Sequence, residues 1–108
     1  MSTAGPRDAV AIRVAMPGQL RDLAGVVGEV EVVVPPPVTL GGVLDALEVR
    51  HPVLRGAIRD RETGQRRAMI RVYADGEDLS DAPPATELPA AVRSGREPLR
   101  LVGAIAGG

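Results

Sequence analysis

The sequence predicts an α+β domain in which a mixed sheet of four to five strands packs on one main helix. Short segments near both ends of the chain alternate apolar residues with other residues, and this period of two is typical of half-buried strands. The segment at 39–51 instead repeats its apolar residues at helical spacing. With 108 residues, of which 44% are hydrophobic, the chain has the size of one domain with one core.

The first two strands are expected to form an antiparallel hairpin, because they lie close together in the sequence. One strand is predicted to begin at Asp8, and the other spans 29–34. A short helical turn that carries Leu20 and Leu23 and finishes near Gly25 separates them. The inward-facing positions of the two strands are Val10, Ile12, Val14, Met16, Val30, Val32 and Val34.

The main helix is predicted to begin after Thr39, a favourable N-cap residue, and to stop by His51, because Pro52 follows. Its apolar face consists of Leu40, Val43, Leu44 and Leu47. Gly41 and Gly42 lower the helix propensity of the first turn by about 1 kcal/mol each. We expect these two small residues to allow the helix to pack closely on the sheet.

The second half of the chain is predicted to supply the remaining strands. The expected segments are a turn at 53–58, a polar loop at 60–67, a strand at 69–74, a short strand at 77–79, a loop at 80–89 and a last strand at 98–102. Leu54 and Ile58 should face inward. Asp75 and Gly76 are a strong turn signal, and Gly95 marks a further turn.

Composition excludes several functional classes. The chain has no cysteine, which removes disulfides, thiolate metal ligands and a cysteine nucleophile. A net charge of −1 and a single aromatic residue, Tyr73, argue against a nucleic-acid partner. No segment approaches the ~20 apolar residues of a membrane span, and residues 1–8 lack the apolar core of a signal peptide. We therefore expect a cytoplasmic protein with neither a membrane nor a nucleic acid as partner.

Other candidate sites have ordinary structural interpretations. His51, the only histidine, lies beside a helix end and is expected to be structural. The acidic segment at 75–78 lacks the ligand spacing of an EF-hand, and Gly41 and Gly42 lack the lysine of a phosphate-binding loop. No metal or bound cofactor is therefore expected.

A cluster of basic residues has two open interpretations. Its members are Arg59, Arg61, Arg66, Arg67 and Arg71. Because Asp60 and Glu62 interrupt the cluster, it forms either a solvated face or an interaction patch.

The strongest functional signal is the pair Gly107 and Gly108, which are the last two residues of the sequence and follow an uncharged apolar segment. Glycine has no Cβ, so its backbone can approach a partner closely, and its carbonyl is open to a nucleophile once activated. The pair predicts a terminal carboxylate that enters the active site of another protein. The expected organisation is a disordered segment at 1–7, a domain at 8–102 and a flexible tail at 103–108.

The order and spacing of these segments resemble the ThiS/MoaD family of sulfur-carrier proteins, which have the ubiquitin-like β-grasp fold. The matching segments are LRDLAG at 20–25, VTLGGVLDAL at 38–47, RHP at 50–52, IRVYADGED at 70–78 and AGG at 106–108. The resemblance covers residues 8–108.

This resemblance implies a carrier protein rather than an enzyme, or the small subunit of a sulfur-transferring synthase. A ubiquitin-activating-type adenylyltransferase would use ATP to adenylate the carboxylate of Gly108. A sulfur donor would convert the adenylate to a thiocarboxylate, and a sulfur-accepting synthase would use the sulfur for molybdopterin, thiamin or cysteine-type biosynthesis. Gly107 would give the tail access to these sites. ATP would belong to the partner enzyme.

Two other functions remain open: a ubiquitin-like modifier joined to target lysines through Gly108, and a β-grasp interaction domain without chemistry. Ordering the backbone of residues 103–108 costs about 1–2 kcal/mol per residue. We therefore expect the domain to dock through an exposed apolar sheet face while the tail is threaded. The candidate outward residues are Val33, Met69 and Val102.

Overall fold

Residues 8–103 are described by the computed structural model, in which strands and short helices alternate along the chain. The elements are β1 (Val10–Ala15), α1 (Gly18–Ala24), β2 (Val30–Val34), α2 (Leu40–Arg50), a 3₁₀ turn (Pro52–Leu54), β3 (Ile70–Ala74), β4 (Glu77–Asp78), α3 (Ala90–Arg93) and β5 (Leu99–Gly103). Residues 1–7 and 104–108 lie outside the described range, so the predicted N-terminal segment and most of the predicted tail stay predictions.

The five strands form one mixed sheet in the order β2-β1-β5-β3-β4. β1 and β2 pair in antiparallel fashion, which confirms the predicted hairpin. β5 lies in the centre of the sheet, parallel to β1 and antiparallel to β3. The predicted α+β fold, with a mixed sheet packed on one main helix, is confirmed.

The core lies between one face of this sheet and α2, and it is built from aliphatic side chains. The predicted inward positions on β1 and β2 are buried, except that Val10 is half-buried. All four residues of the predicted apolar face of α2 are buried, as are Leu54 and Ile58. Full burial of each such side chain stabilises the fold by roughly 1.5–3 kcal/mol. Leu23 is half-exposed, whereas Leu20 of the same short helix α1 is buried and Ala24 packs against the core.

α2 begins and ends as predicted, but its glycines pack differently. Thr39 is the N-cap, and His51 is the C-cap, with its N–H donating to the carbonyl of Leu47 at 2.9 Å. A Cβ on Gly41 would lie 3.0 Å from the Cβ of Pro84, so Gly41 allows close approach of the loop after β4 rather than of the sheet. Gly42 does face the sheet, because a Cβ there would lie 3.4 Å from Val34 of β2.

The turns of the second half also agree with the sequence. Asp75 and Gly76 join β3 to β4 with φ values of 49° and 79°, the pair of positive values that a type I′ hairpin turn requires. The four-residue helix α3, which follows Pro89, is not predicted because a single turn carries no periodic signal. β5 runs one residue further than predicted and includes Gly103.

Candidate functional site: the end of the sheet that carries the tail

Gly107 and Gly108 lie outside the described residues, so the structure defines the base of the tail rather than the tail itself. That base is β5, whose last residue, Gly103, pairs with Ile70 at the start of β3. β5 has a strand on each side, and its inward residues Leu99 and Leu101 are buried in the core. The predicted tail therefore follows the central strand of the sheet, which is fixed on both edges and on one face.

The register shows at which end of the molecule this strand finishes. Arg100 pairs with Ala15, the last residue of β1, and the two strands run parallel. β5 therefore continues three residues beyond the end of β1. β5 thus ends at the end of the sheet where β3 begins and β1 gives way to α1.

The sheet face opposite α2, called the outer face here, carries several charged side chains. Arg13 on β1 donates hydrogen bonds through Nε and Nη2 to the two carboxylate oxygens of Glu29, at 2.8 and 2.9 Å. Its Nη1 donates to the carbonyl of Gly95 at 2.7 Å. The hydrogen bonds from Arg13 hold the pKa of the Glu29 carboxyl below its usual value. All three nitrogens of the Arg13 guanidinium are therefore occupied within the domain.

A second ion pair lies on the β3–β4 side of the outer face. Arg71 donates through Nη2 to Asp78 at 2.6 Å. Hydrogen bonds from Ser80, followed by the one from Arg71, lower the pKa of the Asp78 carboxyl to about 2. The Oγ of Ser80 also accepts a hydrogen bond from the N–H of Val72 at 2.8 Å, so the turn after β4 is tied to β3.

Arg100, in the middle of the same face, has only one long ion pair and no hydrogen-bonded carboxylate among the described residues. Its nearest carboxylate among the described residues is that of Glu97, 3.9 Å from its Nη2, and its side chain is 56% exposed. Tyr73 lies directly opposite Arg100 on β3, and Ala15 lies opposite it on β1. The outward position of Arg100 follows from the alternation of Leu99 and Leu101, but the lack of a closer carboxylate within residues 8–103 could only be found from the tertiary structure.

The three predicted outward apolar residues are exposed, but they do not form one surface. Their exposed fractions are 59% for Val33, 48% for Met69 and 42% for Val102. Val102 lies on β5 next to the start of the tail, and Met69 directly precedes Ile70. Val33 lies on β2, two strands away from β5, where it pairs with Ala11 of β1. The register places Val33 roughly 20 Å from Val102 along the strand direction. Only Met69 and Val102 therefore lie near the tail.

The basic cluster at 59–71 mostly ties the domain together. Arg59 pairs with Asp45 and Glu48 of α2, at 2.7 and 3.0 Å. Arg66 donates to the carbonyls of Ser80 and Ile70, at 2.7 and 2.8 Å. Arg67 and Arg71 also have carboxylate partners, which are Asp60 and Asp78. Within residues 8–103 only Arg61 of this cluster has no ion pair, which argues against a free basic patch.

The N-terminus of α2 does not offer a phosphate site. The N–H groups of Leu40 and Gly41 donate to the carbonyls of Thr86 and Pro84, both at 2.9 Å, and that of Gly42 donates to the Thr39 Oγ1. These are the groups that a bound phosphate would need. Within the described range, no three of the histidine, aspartate and glutamate side chains are grouped closely enough to hold a metal ion.

A cleft of about 520 Å³ opens beside α2, with Leu40, Leu44 and Val72 among its lining residues. Arg59 and Arg66 also line it, and both are engaged in the intramolecular bonds described above.

In the described part of the chain, no helix is both long and apolar enough to span a membrane.

Comparison with known proteins gives structural relatives. The crystal structure of small archaeal modifier protein 1 (SAMP1) from Haloferax volcanii is 28% identical, and the match covers 91% of this chain and 99% of that one with a TM-score of 0.71. A chain in the crystal structure of the Amycolatopsis orientalis BexX/CysO complex matches at 25% identity with a TM-score of 0.67, and the match covers 89% of the present chain and 98% of that one.

Mycobacterium tuberculosis CysO, an antigen, matches at 21% identity over 86% of this chain and 98% of that one, with a TM-score of 0.66, and shows the fold alone. No protein-family model and no curated protein sequence matches the chain.

Proposed function

We propose that this chain, a ubiquitin-like β-grasp protein of the ThiS/MoaD sulfur-carrier type, carries sulfur as a thiocarboxylate on Gly108. Its likeness to SAMP1 and to the BexX/CysO complex over nearly the whole of their chains supports this proposal. The observation that carries it is the position of the Gly107–Gly108 pair, which follows the central strand of the sheet by four residues.

The chemistry takes place in three steps on partner enzymes. A carboxylate oxygen of Gly108 attacks the α-phosphorus of ATP, so that a C–O–P mixed anhydride forms and pyrophosphate leaves. A hydrosulfide-equivalent sulfur from the donor then attacks the acyl carbon, a C–S bond forms, and AMP leaves with the anhydride oxygen. The released proton passes to solvent. On a sulfur-accepting synthase the thiocarboxylate sulfur finally bonds to the acceptor, water cleaves the acyl–sulfur bond, and the oxygen of that water regenerates the carboxylate.

The domain contributes position rather than catalysis. Threading the tail costs about 1–2 kcal/mol for each residue that becomes ordered, and glycine and alanine offer little apolar surface in return. A folded domain that docks beside the active site supplies the compensating binding energy. β5, held by β1 and β3 and by the buried Leu99 and Leu101, fixes the point from which the tail starts. This division of labour suits a carrier protein rather than an enzyme.

The tail is tested by intact-mass spectrometry after incubation with ATP, the activating enzyme encoded in the same genome and a sulfide source. We expect the chain to gain the mass difference between sulfur and oxygen, and a variant without Gly108 to gain nothing. A second variant, Ala106→Gly without Gly108, restores two terminal glycines on a shorter tail. It is expected to be inactive too, because the acyl carbon then falls one residue short. Full conversion of the variant without Gly108 would refute the proposal.

The acceptor belongs to molybdopterin, thiamin or cysteine-type biosynthesis. A strain that lacks the gene is expected to require thiamin or cysteine, or to lose molybdenum-enzyme activity, and the intact chain should restore growth or activity. The variant without Gly108 serves as the matched control. A deletion strain with none of these three phenotypes would contradict this choice of acceptors.

A second candidate function is a ubiquitin-like modifier joined to target lysines through Gly108. The likeness to small archaeal modifier protein 1 favours it, and the first step, adenylation, is the same. Tagged chain isolated from cells under denaturing conditions separates the two functions. Isopeptide-linked adducts that disappear when Gly108 is removed support the modifier, whereas a thiocarboxylate without adducts supports the carrier.

A further inference from the structure

The part of the outer face nearest the tail has the composition of a protein interface. We call it the tail-side patch and define it by Met69, Tyr73, Arg100 and Val102. Arg100 and Tyr73 are register partners, Val102 is two residues further along β5, and Met69 directly precedes β3. Met69, Arg100 and Val102 are each more than 40% exposed. Methionine, arginine and tyrosine are enriched at protein interfaces relative to the rest of protein surfaces.

The position of Tyr73 is informative because it is the only aromatic residue in the chain. Aromatic side chains bury large areas and usually dominate a core, yet the core of residues 8–103 contains no aromatic side chain. Tyr73 instead lies on the outer face, half-buried, beside an exposed arginine. Tyrosine and arginine are, with tryptophan, the residue types enriched among those that carry most of the binding energy of an interface.

The charges of the outer face single out Arg100 within this patch. Arg13 is saturated by Glu29 and the carbonyl of Gly95, and Arg71 is paired with Asp78 at 2.6 Å. Arg100 has only a carboxylate at 3.9 Å, beyond hydrogen-bond distance. Its guanidinium therefore offers donors in a fixed fork, a geometry that fits a carboxylate in bidentate fashion.

We propose that the tail-side patch docks on the adenylating enzyme, and that Arg100 binds a carboxylate of that enzyme while Met69, Tyr73 and Val102 cover an apolar surface around it. This inference rests on the proposed function, because the partner is the enzyme that receives Gly108. Arg100 acts as a positioning and specificity residue and takes no part in the chemistry. Arg100 is only three residues before Gly103, where the predicted tail starts. Docking through the tail-side patch therefore places the tail beside the active site of the enzyme.

The test is ATP–pyrophosphate exchange, catalysed by the activating enzyme from the same genome, at varied concentrations of the chain. Arg100→Glu is expected to raise KM for the chain by roughly tenfold or more, with kcat unchanged because the tail is intact. The KM of Arg100→Lys should lie between the KM of Arg100→Glu and that of the unaltered chain. Arg61→Glu makes the same charge change at an exposed arginine without an ion pair within residues 8–103, and it should leave KM unchanged.

Several outcomes decide the inference. An unchanged KM in Arg100→Glu, an equal rise in Arg61→Glu, or a fall in kcat without a rise in KM would overturn it. Val102→Ser keeps the charge and should raise KM through loss of apolar area, while circular dichroism and thermal unfolding establish that each variant is folded. Failure of the proposed function looks different, because the unaltered chain would then support no exchange.

Discussion

The Oγ1 of Thr39 accepts a hydrogen bond from the N–H of Gly42 at 3.0 Å, which closes the first turn of α2. Replacement of Thr39 by alanine leaves this N–H without its partner and should lower the free energy of unfolding by about 1 kcal/mol. Thr39→Ser keeps the hydroxyl and should retain most of the stability. Urea denaturation of the three proteins measures the effect, and equal midpoints for Thr39→Ala and the unaltered chain would contradict the capping role.

The ion pair between Arg59 and Glu48 should stabilise the domain more than that between Arg59 and Asp45. The Glu48 side chain is 15% exposed, whereas that of Asp45 is 70% exposed and is well screened by solvent. Arg59→Met should therefore cost roughly 1–3 kcal/mol, mainly because it leaves the Glu48 carboxylate without its cation. Asp45→Asn should cost less than about 1 kcal/mol.

A double replacement serves as the control for this pair. Arg59→Met combined with Glu48→Met removes both charges together, and it should be less destabilising than Arg59→Met alone. If the loss of unfolding free energy in the double variant equalled the sum of the losses in Arg59→Met and Glu48→Met, the ion pair would contribute no coupling energy and the expectation would be wrong.

Gly41 should not tolerate a side chain, even though glycine is a poor helix former. A Cβ at this position would meet the Cβ and carbonyl oxygen of Pro84 at 3.0 and 3.1 Å, and the Gly41 N–H is bonded to that same carbonyl. Gly41→Val should displace the loop and lower the unfolding free energy by about 1–3 kcal/mol. Gly18→Ala, at the start of α1 with its nearest neighbour 3.5 Å away, should be neutral or stabilising.

Asp78 should make part of the stability depend on acid pH. Hydrogen bonds from Ser80 and Arg71 lower its folded-state pKa from 3.8 to about 2. A carboxyl with a lowered pKa contributes stability that is complete above pH 3.8 and is lost as the pH falls through about 2. The unfolding free energy of Asp78→Asn should therefore fall less steeply than that of the unaltered chain over this range. Chemical denaturation measures the unfolding free energy of both proteins at each pH. If the two free energies fell in parallel, Asp78 would not be the group responsible for the loss of stability in acid.

Much of the fold could be predicted because its local signals agree with its tertiary packing. Four local signals each predict an element that the structure contains. They are the alternation in β1 and β2, the spacing of the apolar face of α2, its Thr39 cap and the Asp75–Gly76 turn. Leu20 and Leu23 correctly predicted the short helix α1, but a spacing of three residues does not determine which of the two leucines is buried in the core.

By itself the sequence determined the aliphatic core, the succession of the strands along the chain and the two glycines after the last of them, because periodicity, turn residues and chain order are local properties. Only the tertiary structure decided which charges neutralise one another. Arg13, Arg59 and Arg71 find carboxylates that are far away along the chain or on another element, and Arg100 finds none within hydrogen-bond distance. It also separated Val33 from Met69 and Val102, because the distance between outward side chains depends on register and strand order.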